Sequence, residues 1–168
     1  NIRGDIRKAS GRFNLVIDDQ SSIDDFFKLN KKVFVRQGQN QPFMRDFILN
    51  LDNACKKNHS SKIFIAVDKE GRHHAGVFLI WDKNSAYYLM GGGDPNLRNS
   101  GATSFCMWEA IKFSSTVTKK FDFEGSMIEP VERFFRAFGA KQKTYFTITK
   151  TPSLLLRIRA AILSLRDV

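Results

Sequence analysis

The sequence has little cysteine: two residues in 168, Cys55 and Cys106, far apart in the chain. Two isolated thiols make neither a disulfide framework nor a zinc motif, and a cytosolic chain is expected from them. No run of eighteen apolar residues occurs, so no segment is expected to cross a bilayer as a helix. No basic, then apolar, then small-residue signal opens the chain. Internal repeats and low-complexity tracts are lacking as well. The first residue is Asn1 rather than Met, so a piece of a longer protein is expected.

What is plentiful is phenylalanine, with sixteen residues, and positive charge. Lys and Arg number 27 against 17 Asp and Glu, a net charge of +10. Such a charge draws anionic partners: phosphates, nucleic acid, anionic lipid or a nucleotide-linked substrate. It bears on partners and not on fold, and a soluble protein that is simply basic has the same composition. The length suits one domain with a buried core.

Residues 1–10 read as a basic lead-in, 11–150 as one domain and 151–168 as a basic amphipathic helix. Phe13 to Ile17 alternates as a short strand does. Ser21 and Ser22 before Asp24 and Asp25 predict a capped helix start, with Ile23, Phe26, Phe27, Val33 and Phe34 on one face and a stop at Gly38. A second helix is expected after Pro42, with Phe43, Phe47, Ile48, Leu51 and Cys55 inward. Ile63–Val67, Ala75–Trp81 and Ala86–Met90 predict an antiparallel meander. Ala102, Cys106, Ala110, Phe113 and Val117 recur at helical spacing. A strand at Phe121–Glu124, a helix from Pro130 to Phe138, a strand at Tyr145–Thr149 and a helix from Leu154 to Leu165 complete the order. A meander that feeds into βαβ units makes an α/β protein, a mixed sheet covered by helices.

Three segments carry candidate chemistry. In the first, Tyr88 precedes Gly91, Gly92 and Gly93, and Arg98 precedes the next helix. Glycine lets a ligand approach the backbone, a helix start offers free N–H groups to an anion, and Arg98 adds charge. A tight strand exit with a Ser100 cap is the alternative. In the second, Asp122 and Glu124 lie two apart on a strand, on one face and about 7 Å from each other. Either could orient an amine or take its proton; a solvated face is the alternative. In the third, Arg133 and Arg136 share a helix side and could grip a phosphate or carboxylate; a basic surface is the alternative. His73 and His74 have no metal-ligand partner at a fitting spacing and read as a solvated pair, so no metal site is expected.

These segments carry a resemblance. Tyr87-Tyr88-Leu89-Met90-Gly91-Gly92, Arg98-Asn99-Ser100-Gly101-Ala102, Trp108-Glu109-Ala110-Ile111, Phe121-Asp122-Phe123-Glu124-Gly125-Ser126 and Arg133-Phe134-Phe135-Arg136-Ala137-Phe138-Gly139-Ala140 are similar to the Fem-type, methicillin-resistance-related branch of the GNAT fold. The predicted order, β-α-α-β-β-β-α-β-α-β plus a C-terminal helix, is also that of the GNAT-like acyl-CoA N-acyltransferase fold. Arg7-Lys8-Ala9 resembles the stretch leading into the second of two tandem GNAT domains. The resemblance implies aminoacyl transfer from aminoacyl-tRNA to an amine of a peptidoglycan precursor, without coenzyme A or another cofactor, in the cytoplasm. It implies a further GNAT-like domain upstream. Two departures stand out: Phe135 occupies the place where many Fem enzymes carry Lys, and one GNAT-like unit is present. The expected roles are Glu124 or Asp122 on the amine, the backbone N–H groups at Gly91–Gly93 on the acyl carbonyl, Tyr88 in substrate binding, and Arg98, Arg133 and Arg136 on phosphate or carboxylate groups. The alternatives are an acyl-CoA-dependent N-acetyltransferase and a catalytically idle module that binds RNA or a cell-wall precursor. The closing helix could also touch a membrane surface.

Overall fold

The computed structural model describes the whole chain except Asp19, Met127, Thr147, Thr149 and residues 165–168, and except the side chains of Ala160, Ala161, Leu163 and Ser164. Its centre is a five-stranded sheet in the order β1-β2-β3-β4-β5: β1 Val16–Asp18, β2 Ser61–Val67, β3 His73–Trp81, β4 Ala86–Gly93 and β5 Phe121–Asp122. The first four strands pair antiparallel and β5 lies parallel to β4. The meander follows from short polar turns: Asp68 accepts the Glu70 and Arg72 N–H groups, and Asp82 accepts those of Asn84 and Ser85.

Two helical layers cover the sheet. Helices α2 (Ile23–Arg36) and α3 (Arg45–Lys57) bury Ile23, Phe26, Leu29 and Ile48 against Ile65 and Phe78. The predicted start of α2 is present: Ser22 and Asp25 cap each other reciprocally. The other face takes α4 (Ala102–Val117), which buries Ala102, Phe105, Cys106 and Ala110 on Phe64, Val77 and Leu79.

Several expectations are corrected. The second helix begins at Arg45, and Phe43 and Phe47 stack on each other in solvent rather than facing inward. The lead-in is helical: α1 (Ile2–Arg7) continues into a π-helical turn at Lys8–Arg12, and Ala9 is wholly buried in the α4-side core. The expected last strand is not formed by its described residues: Tyr145, Phe146 and Ile148 belong to no strand and are 84%, 84% and 92% exposed, while Thr147 and Thr149 lie outside the described residues. Helices α5 (Glu129–Arg136) and α6 (Leu154–Ser164) close the order.

Candidate functional site

The sheet opens between β4 and β5. Ala86 pairs with Phe121 and Tyr87 with Asp122, and there the pairing ends, while β4 continues beside β3 to Gly93. The cause is local. The Asp122 carboxylate accepts the Glu124 N–H at 2.8 Å, and Glu124 and Gly125 then take φ of 61° and 75°. Two successive left-handed residues cannot continue a strand. Asp122 and Glu124 therefore do not project from a shared strand face, and both are exposed. The Asp122 carboxylate instead builds the turn that parts the strands.

On the other side of the opening, β4 carries a bulge. Met90 faces Phe78 and Tyr88 faces Leu79, so Leu89 is extra. Leu89 and Met90 both pack toward α2 and α3, whereas Tyr88 joins the α4-side core. The bulge thereby brings the Tyr88 phenol over Gly91, where a Cβ would overlap it. The remaining glycines also close gaps. A Cβ at Gly92 would come 3.0 Å from the Asn30 Cα, and one at Gly93 3.2 Å from the His74 carbonyl oxygen. The run thus forms the last three residues of the strand, and close packing against Tyr88, α2 and β3 accounts for it.

Tyr88 carries the phenol of this bulged segment. Its ring packs edge-on to Phe135 of α5, with centroids 5.6 Å apart, and Phe123 continues the aromatic wall at 5.0 Å from Phe135. Burial, with a smaller contribution from the Cys106 thiol, pushes the phenol up to about 12, so it keeps its proton at any ordinary pH. No hydrogen bond of this hydroxyl occurs among the described residues, which leaves it free to donate.

Sequence reasoning missed a polar relay at the same strand edge. The buried Asn30 of α2 donates from Nδ2 to the Gly91 carbonyl at 2.8 Å and accepts from Gln41 Nε2 at 2.8 Å. It ties the α2–α3 connection to the bulged strand. A polar residue within the apolar stripe of α2 was the available signal. Two residues on, Lys32 pairs with the buried Asp94 at 2.5 Å.

The predicted cations are not gathered on one ligand. Arg133 and Arg136 are exposed and pair with Glu129 and Glu132 of their own helix, at 2.5 and 2.7 Å. Arg98 is exposed in the short 3₁₀ turn Arg98–Ser100 and makes no ion pair with a described residue. Gly101, with φ of 80°, leads into α4, and the Asp5 carbonyl of α1 packs directly against it.

The histidine pair is also corrected. His74 is buried, its Nε2 lies 2.9 Å from Asp68 Oδ2, and Arg72 reaches the same carboxylate. Burial alone would raise the Asp68 carboxyl. The His74, Arg72 side-chain and Arg72 backbone hydrogen bonds outweigh it and hold the group well below its ordinary 3.8. A depressed carboxyl stabilises the fold above the unfolded-state value and loses that contribution as pH falls through the folded one. The melting temperature of the wild-type chain should therefore fall steeply below about pH 4. In Asp68→Asn it should start lower at neutral pH and depend less on acid. Parallel pH–melting curves for the two would show that the pair contributes nothing.

A family model described as an acetyltransferase (GNAT) domain matches residues 1–126. No curated protein matches the sequence. Solved structures share the fold: a putative acetyl transferase from Pyrococcus furiosus at TM-score 0.58 and 14% identity, over 82% of this chain and 98% of that one. FemX follows it at 0.66 and 13%, over 74% of this chain and 48% of its own, so the chain spans about half of FemX. Glucosamine-6-phosphate N-acetyltransferase from Arabidopsis thaliana is similar at 0.57 and 12%, over 83% and 99%. The five-stranded mixed sheet with its helices is the architecture these acetyltransferases have.

Proposed function

The chain belongs to the GNAT acetyltransferase domain family, and from that premise we propose that it transfers an aminoacyl group from an ester donor, of the aminoacyl-tRNA kind, to the amine of a peptidoglycan-type precursor. The observation that carries N-acyl transfer is the parting of β4 from β5 after Tyr87, which leaves the Tyr88–Gly93 edge open beside Glu124. The amine nitrogen attacks the ester carbonyl carbon. The carbonyl π electrons move to oxygen, and the Tyr88 hydroxyl donates a hydrogen bond to the oxyanion. Glu124 takes the proton the amine must lose and returns it to the leaving alcohol as the C–O bond breaks. Asp122 holds the turn that carries Glu124.

The turn Arg98-Asn99-Ser100-Gly101-Ala102 supports an ester donor over a coenzyme A thioester: it lacks the tighter Arg/Gln-x-x-Gly-x-Gly/Ala loop that holds a coenzyme A pyrophosphate, and at Gly101 it meets the Asp5 carbonyl, an electron-rich group ill-suited to phosphate. The net charge of +10 suits either polyanionic donor. The family's description and the acetyltransferase neighbours favour the second reading, acetyl transfer from acetyl-CoA.

The test offers the purified chain charged tRNA or acetyl-CoA with amine acceptors and follows product by mass spectrometry, with calorimetry for acetyl-CoA. Transfer from the ester donor, lowered at least about tenfold by Glu124→Gln, is expected. Acetyl-CoA binding in the micromolar range with acetyl transfer would replace the aminoacyl reading by the second one.

A further inference from the structure

The net charge is not spread evenly. From Arg133 to Arg166 the chain has eight Lys and Arg and no Asp or Glu, whereas residues 1–132 carry 19 basic and 16 acidic residues. Most of the +10 therefore resides in this last part. Beyond Lys141 its described large apolar side chains are exposed: Tyr145, Phe146 and Ile148 before α6, and Leu154, Leu155, Leu156, Ile158 and Ile162 on it. At about 100° per residue, Leu154, Leu155, Ile158 and Ile162 fall within one arc of about 100°, with Arg157 and Arg159 at its two margins and Leu156 on the far side. Aromatic residues, an apolar helix face and marginal arginines whose stems can lie along it are the components of an interfacial helix. No helix among the described residues is long and apolar enough to cross a membrane.

We infer that the segment from Lys141 through α6 is a docking surface for an anionic lipid bilayer, with α6 lying in the headgroup plane. Lys141, Lys143, Lys150, Arg157 and Arg159 supply attraction to the lipid charge, and the exposed rings and the α6 arc supply the apolar contact. The absence of any acidic residue over this stretch matches an anionic bilayer, where a carboxylate would be repelled. A protein partner would be expected to answer to a mixture of charges. The inference stands whichever acyl donor the cleft takes.

The experiment is co-sedimentation of the full chain with sucrose-loaded vesicles of phosphatidylcholine, with and without about 40% phosphatidylglycerol, at low and physiological salt. The wild-type chain should pellet with the anionic vesicles and stay largely in solution with the neutral ones. Arg157→Gln/Arg159→Gln should weaken partitioning by about 25-fold, roughly fivefold per charge. Leu155→Glu/Ile158→Glu should abolish it. Lys119→Gln/Lys120→Gln, equal in charge change but outside the segment, should leave it within about threefold. These side chains are exposed, and circular dichroism checks that each variant is folded. A wild-type chain left in solution by anionic vesicles overturns the inference, whether it is then found to self-associate or to be held by RNA. So does a Lys119/Lys120 variant that loses as much binding as the α6 arginine pair.

Discussion

Tyr88→Phe should lower kcat for acyl transfer by about 100-fold, the loss typical when one oxyanion donor is removed, while the donor KM changes little. The ring would stay, with its contact to Phe135, so the melting temperature should hold. A phenol pushed up to about 12 remains protonated across the usual assay range, so the deficit should be constant with pH there. That constancy separates a hydrogen-bond donor from a titrating acid. Gly91→Ala offers a second approach, because its Cβ would take the space of the phenol oxygen; it should reproduce the kcat loss while the hydroxyl is still present. Full activity in Tyr88→Phe would pass the oxyanion role to the β4 backbone. A matching fall in melting temperature would make Tyr88 a packing residue.

Gly101→Ala should destabilise the chain by about 3 kcal/mol, combining a left-handed non-glycine residue with an overpacked contact. The position has φ of 80°, and its Cβ would overlap the Asp5 carbonyl. That obstacle is backbone and cannot rotate away as a side-chain end can. Either α1 lifts from α4 or the turn at Arg98–Ser100 re-forms. Lifting α1 would draw Ala9 and Ile6 from the core they share with Ala102 and Phe105. At this chain length the melting temperature should fall by about 6–12 °C. Hydrogen exchange should show α1 opening first. Gly125→Ala serves as the comparison: its φ is also positive, at 75°, yet a Cβ there meets nothing within 4 Å. It should cost about 1 kcal/mol, the left-handed penalty alone. Equal losses in the two variants would show that the Asp5 contact is unimportant.

Much of the architecture was legible because it rests on near neighbours in sequence. Short β-rich apolar runs marked β2, β3 and β4, and the polar turns between them indicated their antiparallel pairing. The Ser22–Asp25 cap and the small apolar stripe of α4 marked two helices. The same logic located the segments of the candidate site: Tyr88 with its glycines, the Asp122–Glu124 pair and the turn into α4. Where that logic failed, long-range packing or a side chain's hold on the backbone had outweighed the pattern. Phe43 and Phe47 fit an inward stripe but stack on each other in solvent. Arg133 and Arg136 looked like a clamp but are held by glutamates one turn away.

The sequence by itself determined an α/β chain with an antiparallel meander, the positions of its main helices, its charge and the segments where chemistry could occur, since these depend on periodicity, turn chemistry and composition. The tertiary structure alone decided how those segments meet. Asn30 reaches Gly91 across 61 residues and the Asp5 carbonyl settles on Gly101. A one-residue bulge turns Tyr88 to the α4 side, and the Asp122 carboxylate ends β5 after two residues. The Asn30–Gly91 and Asp5–Gly101 contacts and the register of the bulge depend on partners that become neighbours only once the sheet and its two helical layers have closed, whereas the Asp122–Glu124 turn joins residues two apart and was masked by a strand-like alternation.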